Sequence, residues 1–327
     1  MTDSAEGMRI RQRGQTDEPG NTVCQCAADR ERDLIFALRS ILQPNGPNSF
    51  KSPNAGAPQV TVSTFICCDG GELRYSVAGA GEPVVFIHGL GLDAAMWDPQ
   101  WPPVQREFRA IRYDVRGFGG SSMPTGPYSN SDDLLGLLNF LDARPAHVVG
   151  LSMGGRLALR FALDQPSAVK SLTLIDPALE GFSWSDSWNR QMNPIVAAAR
   201  AGDIHVARQL WLSHELFAPA RRDPGVAAAL SAMVDRYSAW HWHHTDPVRR
   251  SASPAIKCLA AVSSPTLLIL GELDLPDFKD IAQRLAAEIP DATLHTIGNA
   301  GHMASMEAPT SVNDLLLAHL RSNSEAL

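Results

Sequence analysis

The 327-residue chain has no apolar run that approaches the roughly 20 residues needed to cross a bilayer, and its N-terminus carries charges where a signal peptide needs an apolar core. Cysteine is scarce as well. Cys24, Cys26, Cys67, Cys68 and Cys258 are too few for a disulfide framework, and neither Cys-x-Cys nor the vicinal pair comes with histidines at zinc spacing. They read as reduced thiols, which together with the missing leader predicts a soluble, cytoplasmic protein. Excess positive charge is absent: 28 Lys and Arg against 35 Asp and Glu leave a net charge of -7, so neither nucleic acid nor an anionic membrane is expected as a partner. The composition leaves the oligomeric state open. Residues 1–57 lack apolar material to bury, apart from Leu34, Ile35, Leu38, Ile41 and Leu42 at helical spacing. They read as a poorly ordered extension with a possible short helix over 29–42.

From Gln59 the texture changes. Two β-rich runs, 60–67 and 72–77, are joined through Asp69-Gly70-Gly71, a hairpin-type connection. Strand and helix patterns then alternate: a strand over 83–88, a helix after Gly89-Leu90-Gly91 to about Trp101, a strand over 108–114, a helix over 131–141, a strand over 147–151, a helix over 152–163 and a strand over 171–176. Such alternation predicts an α/β fold, a mostly parallel eight-stranded sheet with helices on both faces. After Pro177 it stops. Residues 182–250 hold only helical patches, 195–201, 206–217 and 226–237, and carry Trp184, Trp188, Trp211, Trp240 and Trp242. The pattern resumes with a strand over 266–271, a helix over 278–289, a strand over 293–297 and a helix over 311–321. The organisation is therefore a core of 58–181 and 251–327 with a helical cap, 182–250, inserted after strand six. Aromatic-rich helices in that position predict a lid over an apolar pocket, for which Trp184, Trp188, Trp211 and Trp240 are candidate lining residues, with His88 and Met303 from the core.

The strand over 147–151 runs into Gly150-Leu151-Ser152-Met153-Gly154 and then a helix-permissive segment. A serine on a tight strand-to-helix turn is held in a strained conformation with its hydroxyl exposed, which makes Ser152 the candidate nucleophile. A serine needs a base, and the base needs a carboxylate to fix its tautomer. In open α/β sheets these groups gather at the carboxyl ends of strands. Asp274 lies just past the strand ending at Gly271, and His302 just past the strand ending at Ile297. Glu272 and Asp176 compete for the acid's place; Asp274 sits further into its loop, where a side chain can turn towards His302. The backbone N–H groups of Met153 and Leu90 are the candidate oxyanion donors.

These motifs, with His88-Gly89-Leu90-Gly91, Asp114 to Ser121, Gly271-Glu272-Leu273-Asp274 and Gly301-His302-Met303, resemble the α/β-hydrolase superfamily over residues 58–323. The Gly-His-Met-x-x-x-Glu-x-Pro ending, Gly301 to Pro309, looks most like the carboxylesterase and 3-oxoadipate enol-lactone hydrolase branch. The resemblance implies a serine hydrolase acting on a small apolar ester or lactone through an acyl enzyme, without a cofactor or metal. It also implies that Asp114 and Arg116 organise the loop beside the site. Carbon–carbon bond hydrolases and cofactor-free perhydrolases share this triad and stay open as alternatives.

Two rival patterns exist. Gly89 to Ala94 fits G-x-G-x-x-A between a strand and a helix, with Asp114 near the place of a ribose-binding acid, as in a dinucleotide-binding oxidoreductase. That reading leaves Ser152, Asp274 and His302 without a role, and two strands precede the motif where it should open the fold. His241, His243 and His244 with Asp246 could hold zinc, but amphipathic rings on a lid explain them with fewer assumptions.

Overall fold

The computed structural model describes residues 60–67 and 69–325. The N-terminal extension, its possible helix over 29–42 and Cys68 lie outside the described residues.

Eight strands form one sheet: β1 Thr61–Ile66, β2 Glu72–Ala78, β3 Pro83–Ile87, β4 Arg109–Tyr113, β5 Ala146–Leu151, β6 Val169–Ile175, β7 Thr266–Gly271 and β8 Ala292–Ile297. Their spatial order is β1-β2-β4-β3-β5-β6-β7-β8. β1 pairs antiparallel with β2, and β2 with β4; every later neighbour is parallel. The hairpin turn closes with Cys67 N–H donating to Gly71 O at 2.7 Å and Gly71 N–H to the Asp69 carboxylate at 3.0 Å. The central strands are continuous apolar runs because both faces are covered by helices: Val84 to Ile87 are fully buried, as are Val148 and Val149.

The longer helices are α1 Asn130–Phe140, α2 Met153–Asp164, α3 Asp186–Arg200, α4 Ile204–Ser213, α5 Pro224–Arg236, α6 Pro276–Glu288 and α7 Pro309–Ser322. α2 buries Ala158, Leu159, Phe161 and Ala162, the apolar stripe expected of a helix lying on a sheet. The helix expected after Gly91 is two short pieces, Ala94–Trp97 and Trp101–Val104. Pro99 stands between them, and a proline ring clashes with the preceding turn and offers no N–H to continue it.

α3, α4 and α5 lie between β6 and β7, in the segment expected to form a cap. α3 begins nine residues before the apolar patch read from the sequence, with Ser185 as its cap: the hydroxyl accepts from Trp188 N–H at 3.2 Å. The same serine fastens cap to core, since its N–H and hydroxyl both donate to Asp277, at 2.8 Å each. A second tie runs from Arg236 on α5 to Asp93, at 2.9 and 2.7 Å. Among the described residues no helix is long and apolar enough to cross a membrane.

Candidate active site

β5 ends at Leu151 and α2 begins at Met153, so Ser152 alone makes the turn, at φ 55° and ψ -114°. That conformation is costly for a residue with a Cβ, and here the neighbours enforce it. A Cβ on Gly150 would lie 2.2 Å from Gly154 O, and one on Gly154 would lie 2.0 Å from Ile87 O. The two glycines therefore let α2 start against the ends of β3 and β5. Ser152 is pinned further by its own N–H donating to Ile175 O at 3.0 Å, and by its carbonyl accepting from Arg156 and Ala178, also at 3.0 Å.

At the ends of β7 and β8, His302 Nδ1 donates to Asp274 Oδ2 at 2.9 Å, and both side chains are buried. Asp274 Oδ1 is occupied by Leu275 N–H at 2.7 Å, which leaves the carboxylate oriented from both sides. The Phe278 ring lies 4.2 Å from the imidazole. His302 Nε2 is buried and has no hydrogen-bond partner among the described residues. With Nδ1 bonded to the carboxylate, this nitrogen is the one left to take a proton. Ser152 and His302 line one small cavity, whose wall also includes Leu90, Trp211, Leu216, Phe217 and Met303. The N–H groups of Leu90 and Met153 have no acceptor among the described residues.

Two carboxylates to which the sequence assigned no bracing role hold the histidine loop. Glu307 accepts from Gly301 N–H at 2.8 Å and from Met303 N–H at 3.0 Å, bracketing His302 on both sides. Asp176 accepts from Gly271 N–H at 2.7 Å and Ala304 N–H at 3.4 Å, joining the loop of Asp274 to that of His302. Burial pushes both carboxyls above their usual range, and for Asp176 the charge of Asp274 adds to it. Glu307 lies in the Gly301 to Pro309 motif, so a signal for it was present. Asp176, weighed in the sequence as an alternative to Asp274, accepts from both loops and bonds no histidine among the described residues.

The sequence matches the family model described as alpha/beta hydrolase fold over residues 82–309. The chain belongs to the alpha/beta hydrolase fold family. Among curated proteins, this alpha/beta hydrolase is 31% identical over 271 residues to a dihydrolipoyllysine-residue acetyltransferase component of acetoin cleaving system from Cupriavidus necator, covering 78% of this chain and 68% of that one. It is 25% identical over 242 residues to 3-oxoadipate enol-lactonase 1 of Acinetobacter baylyi, covering 73% and 88%. Among solved structures, a thermophilic esterase from Thermogutta terrifontis superposes with a TM-score of 0.66 at 27% identity, covering 82% of this chain and all (100%) of that one.

In this alpha/beta hydrolase, Trp211 and Met303 stand in the cavity wall, whereas His88, Trp184, Trp188 and Trp240 do not. His88 is fully buried; its Nε2 accepts from Val115 N–H and its Nδ1 donates to Gly89 O, both at 2.9 Å. Both ring nitrogens are thus spent on holding the loop that carries Leu90, and burial lowers the ring's pKa so that it stays neutral. Trp184 stacks on Trp188 at 4.4 Å and faces a larger open cleft shared with Arg156 and Arg160, while Trp188 packs on Phe278 and His214. Trp240 stacks on His244 at 5.1 Å. Of the remaining cap histidines, His241 stacks on Phe118 at 4.2 Å and His243 Nδ1 bonds Ala239 O. Asp114 accepts from Ala94 N–H and Gly120 N–H, at 2.8 Å each, so its carboxylate knits two loops together instead of facing a ribose. Arg116 is clamped by Asp133, at 2.8 and 2.7 Å, and by Asp69 at 3.0 Å.

Proposed function

We propose that the protein is a serine hydrolase of small carboxylic esters or lactones, working through an acyl enzyme. The observation that carries this reading is a buried Asp274–His302 pair whose free Nε2 belongs to the same cavity as a serine held in a conformation that side chains rarely adopt. The relatives named as esterase and enol-lactonase support the substrate class.

Ser152 attacks the carbonyl carbon while His302 Nε2 takes its proton, and Asp274 stabilises the imidazolium that results. The oxyanion that develops is received by the N–H groups of Leu90 and Met153, the latter opening α2, where the helix dipole favours negative charge. His302 then returns the proton to the leaving oxygen. In a lactone that oxygen stays tethered to the acyl group. Water, deprotonated by the same imidazole, releases the acid. Leu90, Trp211, Leu216, Phe217 and Met303 give the substrate an apolar enclosure, which strengthens each of these electrostatic contacts by excluding water.

Incubation with a p-nitrophenyl alkylphosphonate, followed by mass spectrometry of the intact chain and its peptides, tests this directly. One phosphonyl adduct on Ser152 is expected, with loss of ester turnover, and Ser152→Ala should lose both while unfolding as the wild type does. Turnover that survives Ser152→Ala refutes the assignment.

A further inference from the structure

Asp176 ties three strand ends together. It follows β6 directly at φ 43°, and its N–H donates to Ile269 O at 2.8 Å, so a fully buried side chain turns across the end of β7. One carboxyl oxygen accepts from Gly271 N–H at 2.7 Å, and the carbonyl of that glycine accepts from Asp274 N–H at 3.1 Å. Asp176 thereby fixes the residue on which the turn to Asp274 closes. Its other oxygen accepts from Ala304 N–H at 3.4 Å, two residues past His302. The N–H groups of Glu272 and Leu273 bond Ile297 O and Ala300 O, at 2.9 and 2.8 Å, which fastens the two loops together only as far as residue 300. Between His302 and Glu307, two side chains from elsewhere in the chain bond the backbone among the described residues: Asp176 at Ala304, and Gln100 at Ser305 O, at 2.8 Å. Of these, only Asp176 also holds the loop of Asp274.

We propose that Asp176 is a positioning residue for the Asp274–His302 pair: its side chain spans from Gly271 to Ala304 and so sets the separation at which the carboxylate and the imidazole meet. Its importance for turnover rests on the hydrolytic reading, to which it adds a side chain that touches no reacting atom. What it contributes is reach, not charge. The ionisable groups facing it are Asp274, from the loop after β7, and Glu307, from the short helix after His302, with His302 itself bonded to Asp274. Burial first, and the charge of Asp274 second, push the Asp176 carboxyl well above the usual range, which favours the neutral acid. A neutral acid still offers its carbonyl oxygen to Gly271.

Two substitutions compatible with a positive φ test this. Asp176→Gly deletes the carboxyl at little conformational cost, whereas Asp176→Asn keeps a carbonyl oxygen and carries no charge. Asp176→Gly should lower kcat for ester hydrolysis roughly ten- to hundredfold with KM changed by less than about twofold. Asp176→Asn should recover most of that loss and leave the acid limb of the kcat/KM pH profile in place. The Nδ1 proton of His302, identified in the proton spectrum by its loss in His302→Gln, gives a readout that needs no turnover. Its resonance should shift or broaden away in Asp176→Gly and persist in Asp176→Asn. Should the glycine variant not fold, Asp176→Ser, whose hydroxyl is too short to span both amides, takes its place. A wild-type kcat with an unmoved His302 signal in the variant without the carboxyl, or an asparagine variant equally slow or with a displaced acid limb, overturns the proposal. Absence of turnover with every ester in the wild type, alongside a His302 signal lost in Asp176→Gly and kept in Asp176→Asn, would sink the hydrolytic reading and leave the positioning role standing.

Discussion

Gly154→Ala is the most informative single substitution, because its consequence follows from one contact. The added Cβ would stand 2.0 Å from Ile87 O, 2.6 Å from Ile87 C and 2.7 Å from His88 O, all backbone atoms at the end of β3. None can swing aside as a side-chain terminus would, so α2 and β3 must separate by about 1 Å or more to restore ordinary contact. Forcing a methyl into a packed interior costs about 1–3 kcal/mol, and a purely backbone clash belongs at the upper end. At about 3 kcal/mol, a domain of this size should lose about 6–12 °C in Tm. The displacement also pulls Leu90 away from Ser152, and an error of about 1 Å in placing a reacting group can cost about a hundredfold in rate. Thermal denaturation followed by circular dichroism, with ester hydrolysis on the same preparation, measures both effects. Gly126→Ala is the control, since nothing lies within 4 Å of its Cβ position. If the two alanine variants unfold and turn over alike, the close approach of the Ser152 turn to β3 is not what positions the site.

Two other perturbations probe the supports around that turn. Glu307→Ala removes the acceptor of both amides that flank His302, and should cost about 3 kcal/mol of stability, read by urea titration, with kcat lowered more than KM is raised. Glu307→Gln keeps one acceptor and should lose about half as much; a wild-type kcat in the alanine variant would deny the glutamate any part in holding the loop. Glu82 is worked on by burial, which raises its pKa, but hydrogen bonds from Lys170, from the Glu325 N–H and from His147 outweigh it and bring the carboxyl down from 4.5 to about 2. A folded-state pKa below the unfolded one means that the group stabilises the fold above 4.5, and that this share is lost as pH falls through about 2. The stability difference between wild type and Glu82→Gln should therefore be constant above about pH 6 and shrink by about pH 3, and a difference independent of pH would contradict it.

Much of the fold could be read in advance because the strongest sequence signals are local. The runs Val84 to Ile87 and Leu267 to Leu270 are apolar throughout, as only strands covered on both faces need to be. Gly150 and Gly154 mark a turn that tolerates no Cβ, and Asp274 and His302 follow strand ends at predictable distances. What could not be read depends on packing between distant segments. The tryptophans of 182–250 announced an aromatic cap, yet which ring faces the cavity is decided by contacts such as Trp184 on Trp188 and Trp188 on Phe278, which no spacing encodes. The start of α3 was missed because Asp186 to Asn193 is mostly polar and its face is only partly covered, although Ser185 carried a legible cap. His88 sat beside the Gly-Leu-Gly motif and looked like a pocket residue; only its two backbone bonds, one to a residue 27 positions away, reveal a structural brace.

The left-handed backbone at position 152 sets durability against chemistry. Glycine adopts such angles at little cost, whereas a serine there surrenders about 1–3 kcal/mol that the surrounding glycines and amides must recover. Ser152→Gly should therefore unfold at a higher temperature than Ser152→Ala, since only glycine sheds the cost of the positive φ while both lose the hydroxyl.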